Sequence, residues 1–384
     1  MTTNQSGVPL LDLSKTHLPI RDELVAALAR VVDDGRFLFG PDVVSLEQEV
    51  AAVCQTTHAI GCASGSDALL LSLLAIGVGR GDEVIVPSFT FFATVSAVVR
   101  LGATPVMVDI LPDSYNMDPA ACEAAISSRT RAIIPVHLFG QCARVDKICQ
   151  VAEKHGIAVV EDAAQAIGAA LHSRPAGSWG TVGCLSFYPT KNLGGMGDGG
   201  MLTTNSDSFA DRLRLFAAHG MRPRYYHRVV GINSRLDSFQ AAVLRVKLAR
   251  LGGATQQRQQ VAANYNQLFE QQRLDREVSL PVVDSAAYHV WNQYSVRVPN
   301  GKRDALREHL QRQNIGTEVY YPLPLHRQEC FQGMPMRVGE MKETERATAE
   351  IMHLPIYPGL ELDAQRRVVD SIASFYAGIQ RVAA

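Results

Sequence analysis

The stretch Ser186-Phe187-Tyr188-Pro189-Thr190-Lys191-Asn192-Leu193-Gly194-Gly195-Met196-Gly197-Asp198-Gly199-Gly200 decides the fold. An apolar run, Val182 to Phe187, ends in hydroxyl-bearing residues and a lysine, and glycines crowd the segment that follows. Such a lysine sits at the mouth of a strand, where glycine lets the backbone come close to a ligand. Upstream, Val159-Val160-Glu161-Asp162-Ala163-Ala164-Gln165 is a second apolar strand ending in a carboxylate. Functional residues at the carboxyl ends of strands are what an open α/β sheet places around a ligand. A lysine able to form a Schiff base, paired with an acid able to hold a pyridinium nitrogen, is the chemistry of pyridoxal phosphate.

Working outward, short apolar runs alternate with helical segments from about residue 57 to 205. The strands expected are His58 to Cys62, Glu83 to Pro87, Thr104 to Asp109, Ala132 to Val136, Ala158 to Glu161, Cys184 to Phe187 and Gly200 to Thr204. Helices are expected near Asp67 to Ile76, Ala93 to Leu101, Pro119 to Ile126 and Val145 to Lys154, with Gly77 as a helix stop and Asp118-Pro119 as a helix start. This alternation implies a mostly parallel seven-stranded sheet between helices. After Asn233 the pattern changes. Arg235 to Leu251 and Gln256 to Gln272 read as long helices, and beyond Leu280 strand-like segments (Trp291 to Val298, Thr317 to Tyr321) mix with helices at Arg303 to Gln313 and Asp363 to Tyr376. The fold class is therefore α/β, with a large domain at 1–255, which includes the N-terminal segment, and a smaller C-terminal α+β domain at 256–384. The boundary falls inside the helical connection near 250–265.

The 384 residues suffice for two cores, and a hydrophobic fraction of 47% with 20% charged residues is ordinary for a globular protein. A net charge of −1 steers the molecule toward neither nucleic acid nor an anionic membrane. The basic, aromatic stretch Arg222 to Arg228 reads as a surface loop near an anionic ligand rather than as an RNA site. Seven cysteines, odd in number and without a Cys-x-x-Cys pair, argue against a zinc site or a disulfide framework and for a reducing compartment. The start, Met-Thr-Thr-Asn-Gln-Ser, has no basic region before an apolar core, and the apolar patches Leu69 to Val78 and Phe91 to Val99 are too short to span a membrane. A cytoplasmic protein without a metal is the expectation.

The phosphate has a candidate cradle. Ala63-Ser64-Gly65-Ser66-Asp67-Ala68-Leu69 follows a strand and opens a helix, so free amides at the helix N-terminus, with Gly65 permitting close approach, make an anion site. Taken alone, Ser66 or Asp67 is more simply a helix cap; beside such a lysine the balance reverses, and Ser186 can add a hydroxyl. Phe91 or Phe92 can lay a ring on the pyridine face, although core packing would explain either aromatic by itself. Asp162 would keep the ring nitrogen protonated, so that the ring acts as an electron sink, and Gln165 could bond O3′. Neither Gly77-Val78-Gly79-Arg80-Gly81 nor the glycines after Lys191 have dinucleotide or P-loop spacing.

With these motifs in order, the chain resembles the DegT/DnrJ sugar aminotransferases, fold-type I pyridoxal phosphate enzymes related to aspartate aminotransferase. The resemblance runs through Gly35-Arg-Phe-Leu-Phe-Gly40-Pro41, Ser64 to Leu69, Glu161 to Gln165, Ser186 to Gly194, Gly231-Ile-Asn233-Ser-Arg235-Leu-Asp237 and Gln240-Ala-Ala. It ends in Tyr320-Tyr321-Pro322-Leu-Pro-Leu-His326 and Leu354-Pro-Ile-Tyr-Pro358, so nearly the whole chain is covered. The resemblance implies Lys191 as Schiff-base lysine and proton shuttle, Asp162 on the ring nitrogen, Gln165 at O3′ and Phe91 on the ring. It implies Gly65, Ser66, Asp67 and Ser186 at the phosphate, and Asn233 reaching the phosphate of the neighbouring subunit, hence a homodimer with shared sites. Arg235 and Tyr321 fall where relatives contact the nucleotide sugar. His326 lies near that motif and is equally a structural histidine; Arg235 would suit a carboxylate, a diphosphate or Asp237. The implied activity moves an amino group, with glutamate as donor, to a nucleotide-linked keto-hexose. Tyr188 before the lysine and Gly197-Asp198-Gly199-Gly200 after it favour a 3-keto over a 4-keto sugar. A sugar dehydratase of the same family would carry histidine in place of Lys191, and a non-catalytic regulator would show a degraded lysine, acid or phosphate loop.

Overall fold

A computed structural model describes residues 7–383. Its main sheet contains the seven expected strands: His58–Cys62, Glu83–Pro87, Thr104–Val108, Thr130–Ile133, Ala158–Asp162, Val182–Ser186 and Gly200–Thr204. Glu83–Pro87, Thr104–Val108, Thr130–Ile133, Ala158–Asp162 and Val182–Ser186 pair in parallel, and Gly200–Thr204 lies antiparallel between Val182–Ser186 and the edge strand His58–Cys62. An eighth, two-residue strand, Arg337–Val338, adds in parallel to the edge at Thr104–Val108. Its two residues are too few to show a period in the sequence; Arg337 is tied to the buried Glu83 carboxylate, which anchors this part of the C-terminal chain to the sheet.

The central strands are buried on both faces, as helix-covered parallel strands must be. The helices begin and end where local chemistry dictates. Ser64 accepts the Asp67 amide at 3.1 Å and starts Gly65–Ile76, which stops at Gly77 in a left-handed turn (φ +87°). Asp118 caps Pro119–Ala125, with proline in the first turn. Val145–His155 turns Val145, Ile148, Val151 and Ala152 inward, at helical spacing.

Three expectations change in the later half. The helix expected from Arg235 starts at Ser238, because the Asp237 carboxylate accepts the Gln240 amide at 2.8 Å. The next helix, Leu251–Gln271, begins earlier than the glutamines alone marked. Thr317 to Tyr321 forms only a single bridge, Glu318 to His353, whereas the partner of Tyr294–Arg297 is Ile351–Leu354, a short apolar run with no period to read.

A second core gathers Val261, Tyr265, Phe269, Tyr294, Leu306 and Tyr376 among others, and Val8 belongs to it. The Val8 amide and carbonyl bond Asn314 and Gly316 at 2.8 Å each. The described residues therefore begin against the C-terminal core, outside the 1–255 unit in which the sequence places them. Conversely, Leu325, Phe331 and Met341 pack in the core of the large sheet. All seven cysteines are free thiols, and among the described residues no helix is long and apolar enough to cross a membrane.

Candidate active site

The register of the sheet assembles the site. Asp162 pairs with Cys184, and Ser186 with Gly200, so the ends of Ala158–Asp162 and Val182–Ser186 and the turn after His58–Cys62 meet on one edge. The loop carrying Lys191 leaves that edge at Ser186 and returns to it at Gly200. It is closed by Phe187 N–H to Gly199 O (2.8 Å), Gly195 N–H to Phe187 O (2.7 Å) and Lys191 N–H to Tyr188 O (2.9 Å). Gln240 accepts the Met196 amide at 2.8 Å, and the Lys247 ammonium donates to the Gly194 carbonyl. Gly194 is required here: a Cβ would stand 2.3 Å from the Pro189 carbonyl oxygen.

Over this edge lies a cavity of about 580 Å³, lined by Gly65, Ser66, Phe91, Asp162, Gln165, Ser186, Tyr188, Lys191 and Tyr321 among others. Its size suits a cofactor with part of a substrate. Larger surface hollows, about 870 and 760 Å³, lie along the C-terminal helix and the outer sheet edge, and neither brings a lysine against a buried acid.

Each wall has its own chemistry. At the Gly65–Ile76 helix the cap is Ser64, not Ser66 or Asp67. The Gly65 and Ser66 amides, which have no acceptor within the helix, therefore stay free for an anion, and the helix dipole favours one. Gly65 approaches so closely that a Cβ would meet that of Ser186 at 2.7 Å. Opposite, Asp162 is only 5% exposed. Its Oδ2 accepts the Thr94 hydroxyl at 2.8 Å and its Oδ1 the Ala164 amide at 3.2 Å. Burial raises the acid's pKa, while the Thr94 and Ala164 bonds and the charge of Lys191 pull it back. For Lys191, burial lowers the pKa and Asp162 raises it, with burial the larger effect. Gln165 is oriented by the Phe139 amide, which donates to Oε1 at 2.7 Å and leaves Nε2 turned to the Tyr321 hydroxyl at 3.4 Å. Phe91, 57% exposed, begins the Phe92–Arg100 helix, and its ring stands 6.3 Å from that of Tyr321.

The remaining candidates lie elsewhere. Asp67 is in the first turn, with its backbone amide on Ser64, and does not line the cavity. Asn233 is exposed outside it. Arg235 also stands outside, its guanidinium 5.5 Å from the centre of the Phe39 ring and its buried Nε without a partner. His326 does not face the cavity: its Nδ1 bonds the Ser88 hydroxyl at 2.7 Å and its Nε2 is 3.7 Å from Glu345, so the structural alternative is the one its contacts match. Missed residues include Thr90, Asn292 and Gln293, which line the cavity, and Thr94 behind Asp162. Thr90 and Thr94 were open to the strand-end reading that singled out Phe91. Asn292 and Gln293 come from a remote loop and carry no local signal.

A model of the DegT/DnrJ/EryC1/StrS aminotransferase family matches residues 19–373. The chain belongs to this family. A protein named "Pleiotropic regulatory protein" from Geobacillus stearothermophilus is 48% identical over 96% of this chain and 99% of its own. The dTDP-3-amino-3,4,6-trideoxy-alpha-D-glucose transaminase of Streptomyces venezuelae is 44% identical over 95% of each. A UDP-N-acetyl-3-dehydro-alpha-D-glucosamine 3-aminotransferase of Acidithiobacillus ferrooxidans is 40% identical over 96% of this chain and 98% of its own. The crystal structure of S. venezuelae DesV superposes with a TM-score of 0.92, at 42% identity over 97% of this chain and 99% of that one. The cofactor of this aminotransferase family is pyridoxal phosphate. The cavity fits it: a buried acid lacking a full cationic partner suits the ring nitrogen, the Gly65–Ser66–Ser186 cradle suits the phosphate, and Lys191 faces the space between.

Proposed function

We propose that this family member transfers an amino group from glutamate to the C3 keto carbon of a nucleotide-linked hexose, giving 2-oxoglutarate and a 3-amino sugar. The observation that carries the reading is the shared cavity of Lys191, Asp162 and the Gly65–Ser66 helix start, joined to relatives named for 3-amino products. Tyr188 and Asp198, the residues that favour C3 over C4, both line that cavity.

Bound pyridoxal phosphate supplies an electron sink that lets a proton leave the carbon bearing the transferred nitrogen. Asp162 holds the ring nitrogen and its proton, and Gln165 donates from Nε2, the end its bond to Phe139 leaves free. Lys191, its charged form disfavoured by burial, would accept that proton and return it on the far side of the transferred nitrogen, two atoms along, a general acid–base role. Gly65, Ser66 and Ser186 bind the phosphate and fix the register, and Phe91 covers the ring face. Tyr321 binds the sugar nucleotide within the cavity, and Arg235, outside its own cavity, does so for a neighbouring subunit.

The working unit is a homodimer. Asn233, exposed and outside its own cavity, is available to a neighbour's phosphate, with Asp67 as a first-turn residue beside that cradle. Exposed Phe37, Leu38 and Phe39 lie next to Arg235 through the Phe39 ring and offer apolar area to a second copy. The chain divides near residue 255 into two units that work as one around the sheet edge, with Val8 crossing to the C-terminal core and Leu325, Phe331 and Met341 crossing back to the large one, and the protein works in the cytoplasm.

Incubation with glutamate and a panel of 3-keto and 4-keto nucleotide sugars, with products identified by mass and NMR, tests the substrate. A 3-amino product is expected; exclusive 4-amino product overturns the C3 reading. Regulatory names on two relatives make a non-catalytic role the second reading. It gains if the protein retains pyridoxal phosphate yet converts no keto-sugar in the panel.

A further inference from the structure

We infer that Thr94 is a positioning residue for Asp162, its buried hydroxyl fixing the carboxylate that faces the cavity, with Thr90 linking that arrangement to the cavity wall. The inference rests on reading the cavity as the pyridoxal phosphate site.

Thr94 lies in the first turn of Phe92–Arg100 and is fully buried. A threonine at such a place commonly returns its hydroxyl proton to a backbone carbonyl of the preceding turn. This one donates to Asp162 Oδ2 at 2.8 Å instead. Thr94 and Thr90 hydroxyl oxygens stand 3.2 Å apart. An ionised carboxylate only accepts, and Thr94 has a single hydroxyl proton, so Thr90 must donate to Thr94. The chain of donors thus runs from Thr90, which lines the cavity and is 1% exposed, through Thr94 to the acid. The Ala164 amide holds the other oxygen at 3.2 Å. With one donor on each oxygen, the carboxylate cannot turn about its Cβ–Cγ bond without losing both, and each oxygen keeps a lone pair for a ligand. A buried carboxylate free to rotate would meet the ring nitrogen in many orientations. It would also favour its neutral form, which cannot stabilise a cationic ring.

Thr94→Val removes the hydroxyl at nearly constant volume, and Thr94→Ser keeps it. The probes are pyridoxal phosphate and 4′-deoxypyridoxine 5′-phosphate, which retains the ring nitrogen and phosphate but cannot bond covalently to Lys191. Loss of one charge-assisted hydrogen bond predicts about tenfold weaker binding of both probes to apo Thr94→Val. Inorganic phosphate should bind as in the parent protein. In the loaded enzyme kcat should fall about tenfold with the keto-sugar KM unchanged, and Thr94→Ser should recover to within about threefold. The cofactor's visible circular dichroism should weaken in Thr94→Val and return in Thr94→Ser, which simple loosening of the helix would not reproduce. If Thr94→Val does not fold, Thr90→Val carries the test, with the same direction and about a threefold effect. Unchanged binding of 4′-deoxypyridoxine phosphate to the folded variant overturns the inference. Failure of the parent protein to bind either probe overturns instead the cofactor site on which it rests.

Discussion

Residues at the sheet's carboxyl edge and residues in the loops beyond Gly231 contrast sharply in how a single chain presents them. Asp162, Ser186 and the Gly65–Ser66 turn are held by strand register, and Lys191 by a loop that starts and ends on neighbouring paired strands. They converge on one cavity without help from another molecule. Asn233 and Arg235 are also firmly placed, by the bridge from Ala218 to Asn233 and by the Phe39 ring, yet neither lines that cavity. The difference teaches that the sheet edge brings its chemical groups together within one chain, whereas Asn233 and Arg235 could serve such a site only from a second copy, as proposed above.

The largest expected effect lies wholly on the sheet-edge side. Lys191→Ala should lower amino transfer by about four orders of magnitude, the upper end for a lost proton-transfer group, with the fold intact by circular dichroism; turnover within tenfold of the parent would remove Lys191 from the chemistry. Asp162→Asn should retain cofactor yet lose about 10²–10³-fold in kcat, as when a group opposite developing charge is removed, and near-parental turnover would make the acid merely structural. The neighbour's contribution should be smaller. Asn233→Ala is expected to cost about tenfold in kcat/KM through a lost phosphate contact. Mixed and re-equilibrated Asn233→Ala and Lys191→Ala subunits should then exceed the parents' summed activity, because one site of the heterodimer keeps both groups. No gain on mixing would break the contrast between edge and loop. The smallest effect concerns fit. Gly65→Ala must push its Cβ off Ser186, and cofactor affinity, followed by equilibrium dialysis, should weaken by several-fold to about tenfold; parental affinity would show that the close approach is dispensable.

The same contrast explains what the sequence made legible. The seven strands and the residues at their ends could be read because apolar runs and turn chemistry are local, and because a parallel sheet puts its ligands at strand ends. Lys191, Asp162, Gln165 and Ser186 stand out in this way, and all four line the cavity. The Ile351–Leu354 strand, the two-residue strand at Arg337 and the packing of Val8 into the C-terminal core depend on partners far along the chain, for which four or fewer residues give no period. Thr94 escaped because its role lies in a side-chain contact across 68 positions rather than in a motif. Ser64 takes the cap that Ser66 or Asp67 could also fill, since its side chain, two residues before Ser66, already reaches the Asp67 amide. His326 shows the limit of proximity in sequence: it follows Tyr321 by five positions, but its ring turns to Ser88 and Glu345.

The central claim is that Lys191, facing Asp162 across the cavity, is the residue that carries the cofactor. Borohydride reduction of the purified, pyridoxal phosphate-loaded protein, followed by peptide mapping, tests it most directly. A pyridoxyl group on Lys191 alone, in the peptide spanning Ser186 to Gly200, is the predicted result. A pyridoxyl group on another lysine, or on none, would contradict the account.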